Sequence, residues 1–120
     1  EGETSCYVQY TCARANSVLA KGGAAKGYTV GEVLPQEFEV IKQLSEFPAT
    51  LQDALDKYEP CFIARYAVDL AQKYNKFYFD CKILNAEEEE RNFRLALTEA
   101  TLITLKNALS LLGIGVPEKM

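Results

Sequence analysis

The chain has no histidine, and none of its four cysteines stands in a Cys-x-x-Cys pair. Structural zinc draws on clustered cysteines and histidines, so such a site is poorly supported. A nucleophilic thiol would have no imidazole to take its proton, which argues against cysteine catalysis of the usual kind. No apolar run is long enough to span a bilayer, and no basic-then-apolar leader opens the chain. The glycines at 22, 23, 27 and 31 fit neither a Walker loop nor a dinucleotide fingerprint. No pair of carboxylates marks an evident pocket. A self-contained enzyme is therefore not expected, and no residue is assigned a catalytic role. The opening "EGETSCYVQY" also lacks an initiator methionine, so the chain is expected to be a piece of something longer.

What is present suits one soluble domain spanning residues 1–120, with 48% hydrophobic and 25% charged residues. A domain of this size does not need disulfide staples. Cys6, Cys12, Cys61 and Cys81 are expected to be free and mostly buried. A net charge of −4 speaks against non-specific DNA or RNA binding, which needs a basic field. Much of the acid is one block, Glu87–Glu90, so a local neutral or basic face could still meet phosphate.

Hydrophobic spacing predicts an all-α bundle of about five helices built around the C-terminal one. The first runs from about Thr4 to Lys21, with Val8, Cys12, Ala15 and Leu19 as its seam. A Gly-rich loop at 22–34, expected to be flexible, interrupts the pattern. A second helix starts near Pro35 with Phe38, Ile41 and Leu44 inward, and the residue before Pro48 ends it. A short third helix, "ATLQDALDKY", carries Leu51, Ala54, Leu55 and Tyr58. Pro60 begins the fourth, whose seam is Ile63, Ala67, Leu70, Tyr74 and Phe77. Asn85 is expected to cap the last helix, with Glu87–Glu90 complementing its dipole. That helix has Leu95, Leu102, Leu105, Leu109 and Leu112 on one side and Phe93, Leu97, Ala100 and Leu111 nearly opposite, until Gly113 stops it.

Two stripes do not look like core. Tyr7, Tyr10 and Arg14 cluster roughly 140° from the seam of the first helix. Asn75, Tyr78 and Lys82 share a row roughly 90° from the seam of the fourth, provided the helix persists that far. Ring, amide and cation in one row suit an unstacked base and its phosphate. The plain alternatives are that the tyrosines of the first stripe pack sideways on neighbouring helices with Arg14 capping them by stacking, and that the second stripe is a solvated flank with a half-buried tyrosine. From the residues alone the chain is a helical binding or docking module, its ligand open between RNA and protein.

Three segments carry a resemblance. "YVQYTCAR" resembles the Tyr-x-Gln-Tyr-x-x-x-Arg segment of the C-terminal anticodon-binding domain of arginyl-tRNA synthetases. "DLAQKYNKFYFDC" resembles that family's Asp-Leu-Ala…Phe-Asn-x-Phe-Tyr segment, and the stretch from "RLALTEATL" to "GVPEKM" its closing helix and Pro-Glu-Arg-Met tail. The resemblance implies an all-α domain, following a class I catalytic domain, that grips the anticodon arm of tRNA for arginine. It implies that Tyr78 and Met120 contact the anticodon loop. It sets Tyr7, Tyr10 and Arg14 near the tRNA and the junction with the parent's own catalytic domain. Asn75 and the tail, with Lys119, are expected to read base edges, and the tail (Val116–Met120) to pack back toward the fourth helix. Cys12 stands where the family often has His, and Lys119 where it usually has Arg, which keeps charge but loses the planar fork. Lys82 falls at a variable position, and the 22–34 loop has no clear counterpart. ATP and magnesium are implied for the absent catalytic domain and no cofactor for this piece. A cytoplasmic location is implied, with no membrane and no DNA partner. The alternative kept beside this is a protein-docking module using the Tyr7/Tyr10/Arg14 face.

Overall fold

A computed structural model describes residues 2–23, 27, 28 and 30–113, with side chains from Ser5 onward. Five helices follow one another: α1 (Gly2–Gly22), α2 (Pro35–Ser45), α3 (Phe47–Lys57), α4 (Cys61–Asp80) and α5 (Glu88–Leu111). No strand occurs among the described residues. The all-α bundle expected from the periodicity is what forms.

The seam of α1 behaves as its spacing requires. Val8, Cys12 and Ala15 are sealed in the core, and Leu19 packs against its edge. The helix stops where Gly23 takes a left-handed φ of 81° and donates its amide to the Leu19 carbonyl at 2.8 Å. A Cβ on Gly22 would stand 2.8 Å from methyls of Leu84 and Leu95, so bare backbone lets the end of α1 lie this close to them. The α4 seam is equally clean: Ile63, Ala67, Leu70, Tyr74 and Phe77 are all buried. In α5, Leu95, Leu102, Leu105 and Leu109 are buried on one side, and Phe93 and Leu97 on the other. Helix α5 packs on α1, α2 and α4, as a helix apolar on two faces should. It does not hold the centre alone, because α4 packs on all four other helices.

Several expectations change. Phe38 is exposed, because α2 is rotated to bury Glu37, Val40 and Gln43 instead. Those two polar residues are buried because they are bonded. Gln43 accepts from Lys73 Nζ through its side chain at 3.0 Å and from the Tyr66 hydroxyl through its carbonyl. The break between α2 and α3 falls at Glu46, and Phe47, the residue before Pro48, already belongs to the first turn of α3. Leu55 and Tyr58 point outward; Tyr58 is 91% exposed and caps α3 in the left-handed region at φ 52°. Leu111 is exposed at the end of α5. Glu87, not Asn85, occupies the N-cap of α5, so the acidic block forms the cap and first turn together. The thiols are free, but only Cys12 and Cys81 are buried, while Cys6 and Cys61 are exposed.

One buried ion pair was not anticipated. Arg94 Nε donates to Glu37 Oε2 at 2.7 Å, and both side chains are almost wholly enclosed. Each partner makes a further bond. Leu34 N donates to Glu37 Oε1 at 2.8 Å, and Arg94 Nη1 donates to the Lys82 carbonyl at 2.6 Å. The pair therefore ties the start of α2 to α5 and to the α4–α5 connection. Truncating one partner leaves an uncompensated buried charge, which costs about 3–5 kcal/mol. Urea unfolding of Glu37→Ala or Arg94→Ala should show a loss of that order, and a Glu37→Leu/Arg94→Met double variant a markedly smaller one.

Burial pushes the Cys12 thiol up to about 11 and, despite a bond to Thr98, the Tyr74 hydroxyl up to about 12. Tyr66 is raised as well, by burial and then by Glu46. These groups hold their protons more tightly folded than unfolded. The stability they contribute is complete below their ordinary values of 9.0 and 10.0 and is lost as pH climbs through the folded ones. The urea midpoint should accordingly fall from about pH 9 upward. Tyr74→Phe should flatten the fall above pH 10; an unchanged slope would assign the alkaline loss to other groups.

Candidate nucleic-acid interface

The two amphipathic stripes converge. Helices α1 and α4 pack against each other, and the carboxamide of Asn75 on α4 sits at the join. A carboxamide offers two N–H donors and one oxygen, and all are engaged here. Asn75 Nδ2 donates to the Tyr7 hydroxyl and to Thr11 Oγ1, both at 2.9 Å. Arg14 Nη1 donates to Asn75 Oδ1 at 2.6 Å, a short charge-assisted bond. Thr11 completes the set by donating its hydroxyl to the Tyr7 carbonyl at 3.0 Å.

This corrects the expectation that Asn75 reads a base edge. The residue is buried and its amide is spent within the fold. What it does is hold Arg14. From that anchor the guanidinium carbon lies 4.6 Å from the Tyr78 ring centroid, 4.8 Å from that of Phe79 and 5.9 Å from that of Tyr10. Tyr78 and Phe79 meet edge to face at 5.3 Å. The arginine is thus packed among three rings, in the range where cation–π attraction operates.

Beside this cluster opens a cleft of about 680 Å³, whose lining includes Tyr10, Arg14, Lys21, Tyr78, Phe79 and Lys82. Three cations face one carboxylate there, that of Asp80. Asp80 already accepts from Lys76 at 3.0 Å and Gln36 at 3.3 Å, and these bonds hold its carboxyl below the ordinary range. Tyr78 is half-buried, Tyr10 is 59% exposed and Tyr7 38%. An acidic chain therefore carries a locally cationic, aromatic cleft.

Lys82 reaches the cleft by a route the helical spacing did not foresee. Helix α4 ends at Asp80, and Cys81 is extended, with φ −123° and ψ 135°. Lys82 is therefore not on the helical row of Asn75 and Tyr78. Its backbone is instead held by Arg94 through the carbonyl bond described above. Lys119 and Met120, the two tail residues expected at the site, lie outside the described residues.

Two lining residues escaped the sequence reading. Lys21 follows Arg14 by seven positions, two helical turns, and so extends the Tyr7/Tyr10/Arg14 stripe. That spacing was readable. Phe79 follows Tyr78 directly, which on an ideal wheel turns it well away from the Asn75–Tyr78 row. It joins the cleft because Arg14, on the neighbouring α1, lies 4.8 Å from its ring centroid.

Comparisons with known proteins agree with this architecture. The family described as the DALR anticodon binding domain matches residues 8–120. The chain is 49% identical to the arginine–tRNA ligase of Clostridium acetobutylicum over 123 aligned positions, covering all of this chain and 22% of that protein. It is 48% identical to the arginine–tRNA ligase of Lactiplantibacillus plantarum, again across its whole length and 22% of that protein. Among solved structures, the arginyl-tRNA synthetase of Thermus thermophilus superposes with a TM-score of 0.89 at 34% identity, over 95% of this chain and 21% of that one. The chain thus spans about a fifth of the length of these relatives. With its family match, its shared fold and its two converging stripes, the chain belongs to the DALR anticodon binding domain family.

Proposed function

We propose that this chain binds the anticodon arm of tRNA for arginine, as the C-terminal domain of an arginine–tRNA ligase. The observation that carries the reading is the convergence of Tyr10, Arg14 and Tyr78 with Lys21 and Lys82 on one cleft. Unpaired nucleotides need a π surface for the base and cations for the backbone, and the cleft supplies both. Because Asn75 anchors Arg14 from below, the guanidinium is held among the rings before any ligand arrives, so less ordering is required on binding. The tail residues Lys119 and Met120 are proposed, on the resemblance alone, to complete the seat.

In the whole protein, the ATP- and arginine-dependent chemistry would belong to the remainder of the chain. Binding energy won at the anticodon would help to place the distant acceptor end over that centre. The competing docking role predicts a contiguous apolar-aromatic patch on α1 and no basic concavity near Tyr78, whereas the cleft beside Tyr78 is lined by Arg14, Lys21 and Lys82. Arg14 also joins the Tyr7/Tyr10/Arg14 face to that cleft, through Asn75, Tyr78 and Phe79. As for location, no described helix is long and apolar enough to cross a membrane.

The test is binding of an anticodon stem–loop from an arginine-accepting tRNA, measured by fluorescence anisotropy at low salt. The parent chain should bind, and Tyr78→Ala should bind roughly 5-fold or more weakly, since base–aromatic stacking is worth about 1–3 kcal/mol. Equal binding by a folded Tyr78→Ala variant would remove Tyr78 from the interface. Lys82→Ala should lower the slope of log affinity against log salt by about 0.7 if its ammonium meets a phosphate. An unchanged slope would place Lys82 outside the contact.

A further inference from the structure

The cleft contains a ring whose place in the interface is assigned neither by the family motif nor by the helical spacing. Phe79 is 71% exposed, although it carries no hydroxyl to be hydrated. A single exposed apolar side chain is ordinary on a protein surface. What sets this one apart is how firmly it is held and what surrounds it. The Arg14 guanidinium lies 4.8 Å from its centroid, and the Tyr78 ring meets it edge to face at 5.3 Å and 79°. Arg14 is in turn bonded to Asn75, so the chain of contacts runs back into the core. Around the ring stand the cations of Arg14, Lys21 and Lys82, which line the same cleft.

Tyr78 is placed differently. It is half-buried, with the core ring of Tyr74 6.3 Å away on one side and Arg14 4.6 Å from its centroid. Much of its surface is already in contact. Of the two neighbouring rings, Phe79 therefore has the larger free π surface. It is also the one whose burial under a ligand would remove the more apolar area from water.

We propose that Phe79 supplies a further stacking platform for an unpaired base in this cleft, beside Tyr78, with Arg14 helping to hold the ring in place. The proposal rests on the anticodon-arm reading above and names the contact through which it works. Because the platform is a bare phenyl ring with no donor or acceptor, it selects for a flat, unpaired base without choosing among bases. Any base discrimination has to come from polar groups elsewhere in the seat.

The experiment uses the parent chain and its Phe79→Ala, Phe79→Leu and Phe79→Trp variants. Each is titrated with an anticodon stem–loop of an arginine-accepting tRNA carrying 2-aminopurine in its loop. The substituted side chain is mostly solvent-facing, so all four proteins should keep the same circular dichroism, with the urea midpoint of the alanine and leucine variants lowered only slightly by the lost Arg14 and Tyr78 contacts. Leucine keeps the apolar character and loses the π face. Under the proposal, Phe79→Leu and Phe79→Ala both weaken binding by about 5- to 100-fold. Both also reduce the 2-aminopurine quenching seen on saturation with the parent, and Phe79→Trp retains affinity and quenching. If the parent binds and Phe79→Leu matches it in affinity and quenching, the platform assignment is overturned while the anticodon reading stands. If Phe79→Leu binds like the parent and only Phe79→Ala is weak, the contact is apolar packing and the stacking claim fails. A parent chain that does not bind the stem–loop overturns the anticodon reading and this assignment together.

Discussion

A single carboxamide joins the two halves of the binding surface. Asn75 bonds Tyr7, Thr11 and Arg14 across the α1–α4 contact, and every donor and acceptor it has is used there. A buried amide with unmet bonds is costly, so the geometry of this junction is narrowly defined. The position of Arg14 follows from it, and the packing of Tyr10, Tyr78 and Phe79 follows from Arg14. Without that tie, the apolar seams would still pack α1 on α4, but no polar bond would fix Arg14 between the two stripes. With it, they form one cleft.

A second buried polar group does a similar job at the other wall. Arg94 and Glu37 neutralise each other, and the arginine's spare donor holds the Lys82 carbonyl. Net charge is a poor guide to such a surface. Arg94 spends its charge on a carboxylate inside the fold, whereas Arg14 is fixed by a neutral amide and keeps its field directed at the cleft. The acidic block at the start of α5 complements the helix dipole. An overall charge of −4 is thus compatible with a local cationic seat, since potential is set by nearby groups and is screened over about 8 Å at physiological salt.

The seams of α1, α4 and α5 were legible because their apolar residues recur at helical spacing and must be buried together. Where polar residues carry the burial, the same reasoning fails. In α2 the sequence offers Phe38 as the inward residue, yet Glu37 takes that place because Arg94, distant in sequence, is there to meet it. Local pattern has no access to such a partner. Tyr58 illustrates the complementary error: it continues an apolar spacing but falls at the left-handed end of α3, where its side chain turns to solvent. Asn85 offered a preferred cap residue, yet the chain turns two residues later and Glu87 serves.

The sequence by itself determined that this would be an all-α bundle, and that α1 would carry a tyrosine–arginine stripe, and α4 its Tyr78, off their apolar seams. Both are consequences of residue spacing within one helix, which needs no knowledge of neighbours. Only the tertiary structure decided that the stripes meet, that Asn75 faces inward to anchor Arg14, and that Phe79 and Lys82 enter the cleft. Those outcomes depend on how α1 packs on α4 and on where α4 stops. Packing is settled by contacts between residues distant in sequence, such as Arg14 with Asn75, and no local period encodes them.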